Sequence, residues 1–132
     1  MKYLLDTNIC IYFLKNKHQL TDKLNNVGFE NCSISEVTLA ELVYGAENSQ
    51  YREKNLKTIE FFSVQLTILP ILEAINIYGK EKTRLRKMGI MISDFDLLIG
   101  ATAVAKEMIM VTRNVRELDR IQDIKIEDWT KS

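Results

Sequence analysis

One histidine, one proline and two cysteines leave several chemistries without material in this chain of 132 residues. His18 stands between Lys17 and Gln19 in a loop-like stretch and reads as a surface residue. Without a second histidine there is no pair for metal-free acid–base cleavage of a phosphodiester. Cys10 and Cys32 are too few for a disulfide framework, and their spacing suggests no zinc site. They read as reduced, structural thiols, as in a cytoplasmic protein. Pro70 is the only proline and glycines number five, which argues against a disordered chain and for a compact, helix-rich one. Long apolar runs are also missing. The longest, Leu97 to Ala105, is broken by Thr102 and falls short of the roughly 20 residues a membrane span needs. Met1 to Asp6 reaches a charge too soon for a signal peptide, so a soluble protein with no membrane role is expected. Charge of one sign is missing as well: Lys+Arg and Asp+Glu are 18 each. A neutral total removes the long-range pull typical of nucleic-acid binders, but leaves open how the charges are distributed.

What is present is ordinary for a globular protein: 46% apolar and 27% charged residues. The length suits a single domain over residues 1–132. Tyr3-Leu4-Leu5 predicts a buried strand that ends in the polar turn Asp6-Thr7-Asn8, followed by a helix from Ile9 to Leu14. A helix over Gln19–Asn26 is expected to close at Gly28. Asn31 to Ser35 reads as a second strand. Ser35 then caps a helix with Leu39, Leu42, Val43 and Ala46 on one stripe. A polar helix from about Tyr51 to Phe62 and a strand Thr67–Leu69, stopped by Pro70, come next. Ile71 is expected to open a long helix with Ile71, Ile75, Tyr78 and Leu85 on one stripe, ending near Gly89. Asp94 to Ala105 is apolar almost all round and predicts a central, buried helix. Met108–Val111 and Ile124–Ile126 complete the strands. Strands alternating with helices and lacking hairpin turns predict an α/β fold: a twisted, mostly parallel sheet of four to five short strands with helices on both faces.

In such a sheet functional groups collect beyond the carboxyl ends of the strands. Asp6 follows the first strand, Glu41 lies on the helix after the second, Asp96 lies in the first turn of the buried helix, and Thr112-Arg113-Asn114 follows the strand at 108–111. Asp6 and Asp94 also fit plain helix caps. Glu41 and Asp96 sit among apolar neighbours, where a carboxylate needs a partner. Three acids at one edge suit a hard cation, Mg²⁺ or Mn²⁺, which takes one or two carboxylates with water and phosphate.

Four blocks in this order resemble those of PIN-domain proteins: Leu4-Leu5-Asp6-Thr7-Asn8, Ala40 to Ala46, Asp96 to Ala101 and Val111 to Leu118. The closing Ile126-Glu127-Asp128-Trp129 is similar to the end of the VapC-type toxins. The resemblance covers essentially the whole chain and implies a PIN-like fold. It also implies a Mg²⁺- or Mn²⁺-dependent endoribonuclease that cuts tRNA or other structured RNA as the toxin of a toxin–antitoxin pair. Asp6, Asp96 and Glu41 become the catalytic, metal-binding acids. Asn114 stands where many PIN domains carry a fourth acid, so one well-held ion is expected rather than two. Thr7, Asn8 and Thr112 become supporting hydrogen bonders, and Asp94 a cap with a supporting role. A cognate VapB-type antitoxin is the implied partner. It would cover a groove near the N-terminal helices, in a hetero-oligomer built on a homodimer.

Two rivals remain. A phosphatase with Asp6 as nucleophile lacks its second acid, because Asn8 stands there. A catalytically silent RNA- or protein-binding module has no use for acids that repel phosphate. For RNA contact, Arg113 and Arg116 lie close to Asn114. Lys80, Arg84 and Lys87 share one helical face at i, i+4, i+7, either as a phosphate rail or as a solvated face.

Overall fold

The computed structural model describes residues 2–131. Five short strands, β1 (Tyr3–Leu5), β2 (Cys32–Ser35), β3 (Thr67–Leu69), β4 (Ile109–Val111) and β5 (Lys125–Glu127), form one sheet in the order β3-β2-β1-β4-β5. Every pairing is parallel. The chain therefore builds outward from β1 to β2 and β3, then returns to the other side of β1 with β4 and β5. The reversal lies between β1 and β4, where Leu5 pairs with Val111. The residues just beyond, Asp6 and Thr112, occupy the crevice where a parallel sheet places its ligands.

Alternate strand residues serve opposite faces, as the period of a strand requires. Leu5, Cys32, Ile34 and Val111 join a core with α1 (Thr7–Leu14), α2 (Leu20–Val27), α3 (Glu36–Glu47) and α4 (Arg52–Ser63). Leu4 and Met110 join a second core with α5 (Ile75–Lys87), α6 (Asp94–Ala105) and the short α7 (Val115–Leu118). Helices thus cover both faces, as expected. Leu4 and Leu5 are fully buried, and each side chain is worth about 1.5–3 kcal/mol of transfer free energy.

Several local expectations need correction. Ile71 does not open a helix: a 3₁₀ turn at Leu72–Ala74 comes first and α5 starts at Ile75. The Ile71 N–H donates to the Glu36 carboxylate at 3.0 Å, which ties the start of the 3₁₀ turn to α3. Ile75 is exposed, while Leu85 is buried. On α3 the buried stripe is Val37, Thr38, Leu42 and Ala46, with Val43 turned to solvent. The helix α6 is capped by Ser93, whose hydroxyl accepts from the Asp96 N–H at 3.2 Å. Asp94 is not the cap, because its carboxylate faces α5: Tyr78 and Lys82 donate to it at 2.8 and 2.7 Å. The helix α7 has no counterpart among the elements expected from sequence.

Beyond the exposed Asp94 and Phe95 of its first turn, α6 is as buried as its composition predicts. Gly100 makes its close packing possible: a Cβ there would meet Ile121 Cδ1 at 2.5 Å. No helix among the described residues is long and apolar enough to cross a membrane.

Candidate active site

Asp6 is the centre of the crevice. It is 3% exposed, and its backbone N–H donates to the Val111 carbonyl at 2.8 Å, which continues the β1–β4 ladder by one residue. Its side chain has two partners. Oδ1 accepts from the Thr7 N–H at 2.8 Å, the capping role for α1. Oδ2 accepts from the Thr112 hydroxyl at 2.7 Å. The cap and the site are therefore one residue, and neither sequence alternative excluded the other. Burial raises the Asp6 carboxyl to about 6, against the two hydrogen bonds, and the charges of Asp96 and Glu41 push it in the same direction.

Glu41 reaches the crevice from α3, whose buried face sets its direction. Its Oε1 accepts from the Thr7 hydroxyl at 2.6 Å, and Thr7 Oγ1 lies 3.1 Å from that of the fully buried Thr38. Asp96 comes from the first turn of α6, and desolvation raises its carboxyl too, with the charge of Glu117 adding to the rise. Thr112, also fully buried, both donates to Asp6 and accepts from the Asn114 N–H at 2.9 Å. Asn8 accepts from the Arg113 N–H in a long contact of 3.5 Å. Asp6, Glu41, Asp96, Thr7, Thr112 and Asn8 thus gather at one edge.

Asn114 carries no charge, and the structure shows what it holds instead. Its Nδ2 donates to Glu117 Oε2 at 2.8 Å. Glu117 is a fourth acid of the crevice, supplied one helical turn beyond the position where the resemblance sought it. The signal in the sequence was the i, i+3 spacing of Asn114 and Glu117, which has meaning only once 115–118 is known to be helical.

The more distant residues divide. Arg113 and Arg116 are exposed beside Asn114. Lys80 and Lys87 are exposed on α5, but Arg84 is committed: Nε and Nη2 donate to Glu81 at 2.8 Å each, and Nη2 also to the Arg120 carbonyl. Among the described residues, none of these three α5 cations forms a hydrogen bond or ion pair with the four acids. Asp94, bonded to α5, stands apart from them as well.

Acidic oxygens, two of them on carboxylates pushed toward neutrality by burial and like charge, are a donor set that a hard divalent cation suits. Among the described residues no three such side chains already enclose an ion-sized space. The coordination Mg²⁺ prefers needs only one or two direct carboxylate ligands, with water completing the shell.

Comparison with known proteins agrees with the fold. The pattern of the PIN domain matches residues 3–124. The tRNA(fMet)-specific endonuclease VapC of Shigella flexneri is 38% identical over 131 residues, 98% of this chain and 99% of that one. Ribonuclease VapC2 of Haemophilus influenzae is also 38% identical, with 98% of each chain covered. Among solved structures, VapBC2 from Rickettsia felis bound to a DNA fragment from its promoter superposes with a TM-score of 0.91 at 34% identity, covering 98% and 99% of the two chains. DNA-bound VapBC from Salmonella typhimurium gives 0.91 at 36% identity, with 98% of each chain covered. With its fold and nearly its whole length matched, this chain belongs to the PIN-domain family.

Proposed function

We propose that this chain is a Mg²⁺- or Mn²⁺-dependent endoribonuclease and the toxin of a VapBC-type toxin–antitoxin pair, acting on tRNA or other structured RNA. The observation that supports it most is the buried Asp6, raised to about 6 with Asp96 and Glu41 adding to the rise. A fold would not keep such a carboxylate for stability alone, since its ionised form is costly. The relatives at 38% identity are named as endonucleases and ribonucleases.

Asp6 and Asp96 would hold the ion, with Glu41 and Glu117 at its flanks. When bound, the ion would supply Lewis-acid shielding of the attacked phosphate and make water more acidic. The chain's own residues do the positioning. Thr112 and the Thr7 N–H fix both oxygens of Asp6, so its carboxylate has one orientation. The Thr7 hydroxyl fixes Glu41, and Asn114 fixes Glu117. Glu41 or Glu117 would then take a proton from attacking water. In-line attack breaks the bond to the 3′ oxygen, giving a 5′-phosphate and a free 3′-hydroxyl.

The antitoxin reading is supported by a groove between α1, α3 and α4, lined by Ile11, Leu14, Leu42, Ala46 and Ile59, with Glu41 in its wall. An apolar helix or strand laid there would end beside the acids.

The test is cleavage of bulk tRNA and messenger RNA by the purified chain, followed by sequencing of the new ends. Cleavage is expected with Mg²⁺ or Mn²⁺ and none with chelator. Asp96→Asn is expected to be inert with a wild-type melting curve. Undiminished cleavage by that variant would overturn the assignment.

A further inference from the structure

Beside the acids, the turn after β4 carries a second cluster. Arg113 is exposed, and its Nη1 donates to the Tyr12 hydroxyl at 3.2 Å. His18 Nε2 lies 3.4 Å from the same nitrogen. Arginine has donors only, so this contact is a hydrogen bond when Nε2 carries the lone pair. The guanidinium also stands 5.5 Å over the Tyr12 ring. The rings of Tyr12 and His18 meet edge to face, 4.9 Å apart at 81°. Side chains from α1, from the α1–α2 connection and from the β4 turn thus converge.

The backbone is shaped to present this cluster. Asn16, His18 and Gln19 all adopt positive φ, at 56°, 57° and 55°, a conformation uncommon outside glycine. The Lys17 N–H donates to the Tyr12 carbonyl at 2.8 Å and ties the connection to α1. Core packing does not account for the arrangement, since His18 and Arg113 are both exposed. The cluster is continuous with the crevice: Arg113 follows Thr112, the donor to Asp6, and its own N–H faces Asn8.

We infer that Tyr12, His18 and Arg113 form a subsite for a single-stranded nucleotide of the RNA, next to the scissile phosphate. This rests on the ribonuclease reading of the neighbouring acids. Arg113 binds the phosphate of that nucleotide, and the exposed His18 ring, backed by Tyr12, stacks its base. The chain has no net charge to draw RNA in, and the acids repel phosphate, so a cation at the edge of the crevice has to offset them. Of the five guanidinium N–H groups only those on Nη1 are engaged among the described residues, which leaves a donor fork for phosphate oxygens. Stacking on an aromatic ring is how single-stranded RNA is held without regard to sequence. From His18 a groove continues past Lys23, Asn26 and Lys131, with Asp22 and Asp128 also on its walls, and gives the strand an exit.

The experiment measures binding without cleavage, in the full chain carrying Asp96→Asn, by anisotropy of a fluorescent single-stranded RNA dodecamer over a salt series with Mg²⁺. Arg113→Gln is expected to weaken binding and to lower the slope of log affinity against log salt by about 0.7, the share of one phosphate on a single strand. His18→Ala is expected to weaken binding about 5- to 100-fold with the slope unchanged, and His18→Phe to restore it. Melting curves of each variant identify any loss that comes from unfolding, and Arg113→Met, which keeps the aliphatic stem but not the charge, then replaces Arg113→Gln. Wild-type affinity and slope in both the Arg113 and His18 variants overturn the subsite. So does a double-stranded RNA that is affected as much as the single strand. If the wild-type chain binds RNA without ever cleaving it, the nuclease reading falls, while these binding data still decide the subsite.

Discussion

The Thr112 hydroxyl donates to Oδ2 of Asp6 at 2.7 Å, although 106 residues separate the two. The contact exists because β1 and β4 are neighbours in the sheet, with Leu5 paired to Val111, so that the next residue of each strand meets the other. It adds a side-chain bond to the backbone ladder between the first and fourth blocks, and it fixes the most buried acid of the crevice.

Replacing Thr112 with Val tests what that bond does. The isosteric side chain keeps the packing and leaves Asp6 Oδ2 without its donor. One of the two influences that lower the Asp6 pKa is then gone, so the acid limb of the pH–activity profile moves to higher pH. The metal concentration for half-maximal cleavage is expected to rise about 10- to 100-fold, the usual cost of losing a hydrogen bond behind a ligand. Titration of cleavage against Mn²⁺ checks this, and an unchanged half-point removes Thr112 from the site's support.

Asp6 itself makes a prediction about stability. Its carboxyl titrates at about 6 in the folded chain against 3.8 as its ordinary value. Between those values the folded state binds the proton more tightly than the unfolded one. Stability from this group is therefore complete below pH 3.8 and is lost as pH rises through about 6. Two units correspond to about 3 kcal/mol. In chelator, Asp6→Asn is expected to be more stable than wild type at pH 7.5 by on the order of 2 kcal/mol, with the difference gone near pH 4. Urea denaturation at the two pH values measures it. A variant that is less stable at pH 7.5 would mean that burial does not penalise the ionised carboxylate.

Glu81 sets the opposite slope. It is 6% exposed and accepts from Arg84 and from the Gln122 N–H at 2.7 Å, which clamps α5 to the segment after α7. The Arg84 bond holds its carboxyl below the ordinary 4.5. Its contribution is present above pH 4.5 and is lost as pH falls through the lowered value. Glu81→Gln is expected to cost about 1–3 kcal/mol at neutral pH, as a charge-assisted bond does, and to flatten the acid side of the stability profile. Thermal melts from pH 3 to 7 decide between this and a solvated pair of no consequence.

How much of this was open to a reader of the sequence depends on the range of the interactions. The helix Asp94–Ala105 was legible to the residue, because a continuous apolar run with a polar start has few other solutions. Its cap was not. Ser93 and Asp94 are both good cap residues, and the choice is made by Tyr78 and Lys82 on another helix, which draw Asp94 away. The start of α5 was misplaced because a 3₁₀ turn, Leu72–Ala74, precedes it, and an apolar stripe does not distinguish such a turn from the helix it leads into. Of the acids, Asp6 was marked by its place after β1, Glu41 and Asp96 by their apolar neighbours, and all three by the family's blocks. Glu117 lies inside the fourth block, Val111 to Leu118, but had no role assigned to it there. The helix that aims it has only four residues and exists through the burial of Leu118, a tertiary fact.

Glu117 therefore carries the sharpest prediction. If it is a working acid of the crevice, Glu117→Gln removes both a flank of the ion and a like charge beside Asp96. These two losses act differently. Losing the flank raises the metal requirement of cleavage, by about tenfold if Glu117 acts as a supporting group. Losing the charge relieves part of what raises the Asp96 carboxyl, so the acid limb of the pH profile moves to lower pH. Asn114→Ala frees the Glu117 carboxylate without removing it, and is expected to raise the metal requirement less and to leave the acid limb nearer its place. Metal titrations at several pH values separate the two effects. A spectator on the surface would move neither quantity, and wild-type behaviour in both variants would return the site to the three acids that the sequence marked.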